Sequence, residues 1–453
     1  MKKLIETFKN IWSIKELRDR ILFTLALLAI FRFGASVVLP GVMPGVLKAA
    51  ANNNSLFGLI NSYTGGAWNK ASIFALGIMP YITASIVVQL LGFAVPYFQR
   101  LQQKEGESGR RKLNQITRTL TVLVVLVQGG GYLTYLQSIG AINPDVSPFV
   151  FWFSGSVILA AGTIFCMWMG ERITDRGIGN GTSLIIMIGI IASLPGAFSF
   201  ELQAQLANNG LIIFIAELVF LFFSIVASIL IVQGVRKIPL EFAKRMVGRG
   251  GGAMPVKTDR DYLPLKVNSA GVMPIIFAQA IMFLPLTAVQ YITQDPTAGS
   301  SGFLRALTDP YGFWHNFITF LLVVGFTYVY TALIVNPQNY AEYLKRNNAF
   351  IPGIKPGEAT EEYIDSTMTR ITLPGSIFLG ILTILPAITT LFGVNQQFAR
   401  FFGGSSILIL VGVVLDTLAQ IESYLLMRKY DGLVQSGRIE GRSSSGGIGT
   451  NFS

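Results

Sequence analysis

Ten nearly charge-free runs, each close to 20 residues, leave this chain few ways to fold. They span Ile21 to Leu39, Ser72 to Pro96, Ile116 to Leu136, Phe149 to Gly170, Thr182 to Phe198, Leu211 to Val232, Ala270 to Ile292, Phe317 to Val335, Ile371 to Leu391 and Ile407 to Leu426. A hydrocarbon core of about 30 Å needs about 20 apolar residues in a helix. Only 13% of the residues are charged and 51% are hydrophobic, whereas soluble domains carry roughly 25% charged residues. The pattern predicts an all-α polytopic membrane protein of ten transmembrane helices.

The 35 Lys and Arg residues orient it. With the N-terminus inside, 30 of them fall in segments on the inner side, while only Lys48, Lys70, Arg305 and Arg400 fall outside and Arg32 lies within the first span. This asymmetry is a strong positive-inside signal and predicts cytoplasmic termini. The formal charge of +11 is thus a topology signal before it is a sign of nucleic acid. Residues 1–20, with Leu4, Ile5, Phe8, Ile11 and Trp12 among Lys and Arg, predict an amphipathic interface helix without a cleavable-signal pattern. The last residues, 431–453, predict a flexible tail.

Between Asn52 and Trp68 the string FGLINSYTGGAW is apolar, yet too short and too rich in glycine to cross a bilayer. Directly behind it, Ala71 to Gln99 carries no charge. Non-helical backbone at membrane depth persists only where protein buries it or a water-filled cavity meets it. A re-entrant piece feeding a full span therefore points to a conduit.

Several chemistries are excluded. His315 and Cys166 are the sole histidine and cysteine, so disulfides and metal centres built from His and Cys ligands have no material. No GxxxxGKS phosphate loop occurs, and GGGAMP after Arg249 reads as a flexible loop tip. The sequence predicts no enzyme, no catalytic residue, no metal and no cofactor. Coupled transporters usually place ionisable residues inside their spans. Here Arg32, Glu217, Asp416 and Glu422 are the candidates, and the plainer reading is that they pair within the bundle or snorkel. Isoleucines instead mark the motif-bearing spans. Ile78 and Ile82 in GIMPYI share a helix face with Pro80 loosening the backbone between them, Ile186 ends GIGNGTSLII, Ile276 follows KVNSAGVMP, and Ile409 follows GGSS. An aliphatic constriction gates a pore by excluding water.

The strings ASIFALGIMPYITASIVVQLL, QKEGESGRRK, GERITDRGIGNG, LPLKVNSAGVMP and FIPGIKPGE resemble those of the bacterial SecY family, central subunits of the protein-conducting channel. The resemblance runs from the first span to the tenth. It implies two pseudo-symmetric inverted five-helix halves, residues 21–205 and 206–430, with a re-entrant plug helix at about Asn53 to Gly66. The pore ring implied is Ile78, Ile82, Ile186, Ile276 and Ile409, with Thr182 at a sixth position that is usually aliphatic and so less dry here. The lateral gate implied is Gln89, Gln128 and Asn268, hydrogen-bonded when closed. The cytoplasmic loops 234–268 and 337–365 would dock a ribosome or the SecA ATPase through Arg236, Lys237, Lys244, Arg245, Arg249, Lys257 and Lys355. Lys355 stands where the family usually has Arg, so the charge is kept and the bidentate fork is lost.

The resemblance also implies small SecE- and SecG-like subunits, signal-bearing polypeptide substrates, and accessory insertase or SecDF-like proteins around a bacterial plasma (inner) membrane. The reading is thus a channel subunit that translocates unfolded secretory polypeptides and releases transmembrane segments sideways into lipid. The alternative is an inverted-repeat secondary transporter of a small solute, which coupling to sodium or protons would favour.

Overall fold

The computed structural model describes residues 12–43, 46, 64–103, 106–207, 210–242, 261–279, 281–282, 309 and 311–436. In chain order its elements are α1 (Lys15–Gly34), α2 (Met79–Ala94), α3 (Pro96–Gln103), α4 (Gly106–Ser138), α5 (Pro148–Arg176), α6 (Gly181–Ala207), α7 (Leu211–Gln233), β1 (Val235–Phe242) and β2 (Asp261–Lys266). Then come α8 (Phe313–Ile334), α9 (Pro337–Arg346), β3 (Ala349–Phe350), α10 (Glu358–Leu391), α11 (Gln396–Ala399) and α12 (Gly404–Ser436). Among the described residues, seven helical stretches are long and apolar enough to cross a membrane. They fall on the expected spans three to six and eight to ten. The seventh span is helical over residues 273–279 and 281–282, and the remainder of its expected range lies outside the described residues.

The helices pack in a pattern that suits two related halves. The third span packs on the fourth (α4 on α5), the eighth on the ninth (α8 on α10), and the fifth against the tenth (α6 on α12). A two-fold relation between five-span halves equates the first two pairs and brings the fifth and tenth spans together across the axis. Small residues allow close approach: an added Cβ at Gly155 would lie 2.7 Å from Leu133 Cδ2, so α4 and α5 touch closely there.

Two features differ from expectation. Residues 15–20, assigned from sequence to a separate interface helix, form the first turns of α1, which runs unbroken into the membrane span; residues 1–11 lie outside the described residues. The second span was expected to begin at Ser72. Its helix begins at Met79, and residues 64–78 precede it as a succession of turns. Positive φ at Gly65, Gly66, Ala71 and Gly77 explains why no helix forms there. Pro80 does not loosen the helix between Ile78 and Ile82, because it sits in the first turn, where a missing N–H costs nothing.

The segment 234–268, expected as a plain loop, contributes a hairpin. β1 pairs antiparallel with β2 and also with β3, giving the order β2-β1-β3. Ile238 and Leu240 alternate inward on β1 and join Leu265, Val335, Leu344, Ile351, Ile364 and Met368 in a small core. That core seats the sheet on the base of α10.

Candidate functional site

The site begins with the non-helical run before α2. Its backbone groups bond to other parts of the chain: Leu39 N–H donates to Ala71 O at 2.7 Å, and Ile73 N–H donates to Val37 O at 2.9 Å. Tyr132 Oη donates to Trp68 O at 2.8 Å, with the Trp68 and Tyr132 ring centroids 4.2 Å apart. Ser72 Oγ accepts the Phe74 N–H at 3.2 Å. Irregular backbone among membrane helices is thus buried and satisfied, as physics requires. Ile78 ends this run and caps α2, and Ile82 N–H closes the first turn onto Ile78 O at 3.2 Å.

The opening of α6 is fastened on two sides. Thr24 Oγ1 of α1 accepts the Ile178 N–H at 3.1 Å, and Gln420 Oε1 of α12 accepts the Gly179 N–H at 2.8 Å. Asn180 Oδ1 then caps the helix by accepting from Thr182 N–H at 3.1 Å. Ile186 follows one turn further on.

The result is a single apolar knot. Ile78, Ile186 and Ile409 are buried in one cluster with Leu27, Phe31 and Phe74, and Ile82 and Ile276 pack against it half-buried. The five isoleucines thus come from the second, fifth, seventh and tenth spans to one place. Thr182 stands beside them: an added Cβ at Gly170 would lie 3.2 Å from Thr182 Cγ2 and 3.3 Å from Ile78 Cδ1. Its hydroxyl donates to Asn180 Oδ1 at 2.7 Å. Thr182 therefore turns a methyl group toward Gly170 while its hydroxyl is spent on the helix cap.

The three polar gate candidates are not hydrogen-bonded to one another. Gln89 Nε2 donates to Ser85 Oγ at 3.1 Å, and Gln89 Oε1 accepts from Tyr330 Oη of α8 at 3.2 Å. Gln128 is half-buried on α4. Asn268 is 7% exposed, and its Oδ1 has no hydrogen-bond partner. Gln89 already has its amide engaged on both sides by Ser85 and Tyr330, which sequence reasoning did not anticipate.

Comparison with known proteins bears on this geometry. The SecY family model matches residues 72–418. The chain belongs to the SecY family. It is 38% identical to the protein translocase subunit SecY of Chlamydia muridarum, over 96% of this chain and 99% of that protein. The SecY subunit of Halalkalibacterium halodurans is 41% identical over 95% of this chain and its own full length. Among solved structures, a protein-conducting channel shares the fold with a TM-score of 0.61, 17% identity, and coverage of 92% of this chain and 94% of its own. A second, solved to study the SecY plug domain, has a TM-score of 0.62 and 18% identity over 92% and 94% of the two chains. The SecY fold thus carries the isoleucine cluster.

The remaining site candidates of this SecY-family chain lie at the sheet or outside the described residues. Arg236 and Lys237 are exposed on β1, and Lys355 is exposed before α10, where its carbonyl accepts from Thr360 Oγ1 at 2.9 Å. Lys244, Arg245, Arg249 and Lys257, and residues 53–63 of the expected plug, lie outside the described residues. Of the intramembrane ionisable residues, Glu217 is buried and accepts from Gln205 Nε2 at 3.3 Å, Gln205 also donates to Glu201 at 2.9 Å, and Asp416 and Glu422 are exposed on α12. Among the described residues no group of three His, Cys, Asp or Glu could hold a metal ion.

Sequence reasoning missed Tyr330 and the hairpin. The alternation in VRKIPLEF was a usable signal for the hairpin. A tyrosine 241 residues from its partner offered none.

Proposed function

We propose that this chain is the pore-forming subunit of a protein translocase, passing unfolded polypeptides through the isoleucine constriction and releasing apolar segments sideways between the second, third, seventh and eighth spans. The observation that carries the reading is the convergence of Ile78, Ile82, Ile186, Ile276 and Ile409 on one apolar cluster, within a fold that belongs to the SecY family. A translocating chain presents every kind of side chain in turn. Branched aliphatic groups offer it no hydrogen bonds and yield around it, and when closed they exclude water and ions. Thr182 would extend the ring with its methyl group. Gln89, Gln128 and Asn268 would tune the lateral exit. An apolar helix of about 20 residues prefers lipid and would leave by that route.

The distribution of Lys and Arg supports a bacterial plasma membrane location with both termini in the cytoplasm. The hairpin and the segment before α10 would then face the cytoplasm, where Arg236, Lys237, Lys244, Arg245, Arg249, Lys257 and Lys355 offer positive charge to acidic protein or ribosomal phosphate. The energy source would be a SecA-like ATPase or the ribosome, with SecE- and SecG-like subunits beside the channel; one structural neighbour is Sec61 in a canine ribosome-channel complex. The chain itself would carry out no chemical step. The solute-transporter reading loses support, because the buried carboxylates Glu201 and Glu217 face Gln205 and the constriction is aliphatic.

Cross-linking tests the proposal. With Cys166 replaced by alanine and a single cysteine placed either at Ile82 or, as a control, at the exposed Phe153, a stalled secretory chain carrying one cysteine should form a disulfide, under an added oxidant, at position 82 and none at 153. Adducts at 153 alone would overturn it.

A further inference from the structure

The halves of the bundle are stitched very unevenly. Among the described residues, three side-chain hydrogen bonds that join the halves all involve the helix of the fifth span or the loop opening it: Gly179 N–H donates to Gln420 Oε1, Asn395 N–H to Glu201 Oε2, and Gln205 Nε2 to Glu217 Oε1. The large apolar cluster adds to the same side. At the seam between α2 and α8, Tyr330 Oη donates to Gln89 Oε1 at 3.2 Å. Tyr330 is held for this contact: its ring packs on Phe277 of the seventh span with centroids 5.5 Å apart, and Phe277 packs in turn on Phe326 at 5.7 Å. The other half of the contact is equally fixed, since Gln89 Nε2 is tied to Ser85 one turn back on α2.

We infer that Tyr330 is the latch of the lateral seam, its hydroxyl setting how apolar an arriving helix must be before α2 and α8 part. The inference rests on the translocase reading above. An apolar helix entering between α2 and α8 satisfies its own backbone and offers neither a donor to Gln89 Oε1 nor an acceptor to Tyr330 Oη. Entry therefore breaks the bond without replacing it, and only a helix with enough apolar area offsets that loss. Asn268 adds no second bond across the seam in this arrangement, because its Oδ1 has no hydrogen-bond partner here.

The test uses cells that depend on the full-length chain for export of a secreted reporter. One reporter carries an intact signal and the other a signal with a single charge in its apolar core. An interhelical hydrogen bond of this kind is worth a factor of about three to ten. Tyr330→Phe keeps the ring on Phe277 and removes only the hydroxyl, so export of the defective-signal reporter should rise about three- to tenfold. Export of the intact-signal reporter should stay unchanged. Gln89→Leu should give the same gain, and the double variant should add nothing to it, which a merely structural role for the ring would not produce. Tyr328→Phe, on the same helix, should match the parent. An unchanged defective-signal reporter, an equal rise in both reporters, or additive single variants would each overturn the latch. Failure of the parent chain to export the intact-signal reporter would instead overturn the translocase reading.

Discussion

Arg32 reaches out of the first span and donates from Nη1 to the carbonyl of Gly65, 33 residues on, at 2.9 Å. The intramembrane arginine thus has a backbone partner at the point where the non-helical run begins. Gly65 fits there because it has φ +63 and no Cβ: an added one would lie 2.5 Å from Arg32 Nη1 and 2.9 Å from Gly189 Cα of α6. Gly65→Ala should therefore cost about 1–3 kcal/mol and lower the melting temperature in detergent. Arg32→Met should lower it too, by leaving the Gly65 carbonyl without its donor. An unshifted melt for both variants would remove this anchor.

The proposed constriction predicts a leak. Ile82→Asn introduces an amide where Ile82 is only half-buried against the cluster, so the fold should tolerate it while water enters. Reconstituted in planar bilayers, the variant should show higher resting ion conductance than the parent. Ile409→Asn should also leak, and should in addition lose about 2–5 kcal/mol of stability, because Ile409 is fully enclosed. Parental conductance in both variants would mean that these residues do not seal the path.

Asn268 gives a prediction of opposite sign to the tyrosine. A buried acceptor without a partner costs about 1–3 kcal/mol. Asn268→Leu removes that cost from the state seen here and should stabilise it. The melt should rise, and export of reporters with marginal signals should fall. A lower melting temperature would show that Asn268 is satisfied in the membrane.

Two glycines one helix apart should behave differently. A Cβ at Gly162 of α5 would collide with the Ile73 carbonyl of the irregular run, whereas at Gly129 of α4 it would meet Leu159 and Leu76 side chains at 3.6 and 3.7 Å. Backbone cannot swing aside as side-chain ends can. Gly162→Ala should cost about 1–3 kcal/mol, and Gly129→Ala should be nearly neutral. Equal melts for the two variants would contradict the close approach of α5 to residues 72–74.

The long helices and the ring isoleucines were legible because their signals are local. Charge-free length marks a span, and the strings GIMPYI, GIGNGTSLII and KVNSAGVMP place their isoleucines by short offsets. The true start of the second span was not legible, since hydropathy continues unchanged across Ser72 to Gly77 while the backbone does not. There the φ of +52 at Gly77 and the position of Pro80 decide the boundary. Thr182 reads as a polar intruder in sequence, and only the Asn180 contact shows where its hydroxyl goes. The Gln89 partner is legible only in three dimensions.

The irregular run from Thr64 to Gly77 combines internal turns, such as Ser72 N–H on Ala67 O at 3.0 Å, with bonds to its neighbours. A membrane helix carries its hydrogen bonds within itself and keeps its shape when it moves. Ala71, Ile73 and Trp68 instead close some of theirs onto Leu39, Val37 and Tyr132, so these contacts last only while the segment after α1 and the third span stay put. A displacement of these neighbours too small to fray α1 or α4 would release the three contacts together. In hydrogen exchange, the amides of Leu39 and Ile73 should consequently open as one cooperative unit, well before those of the helices on either side.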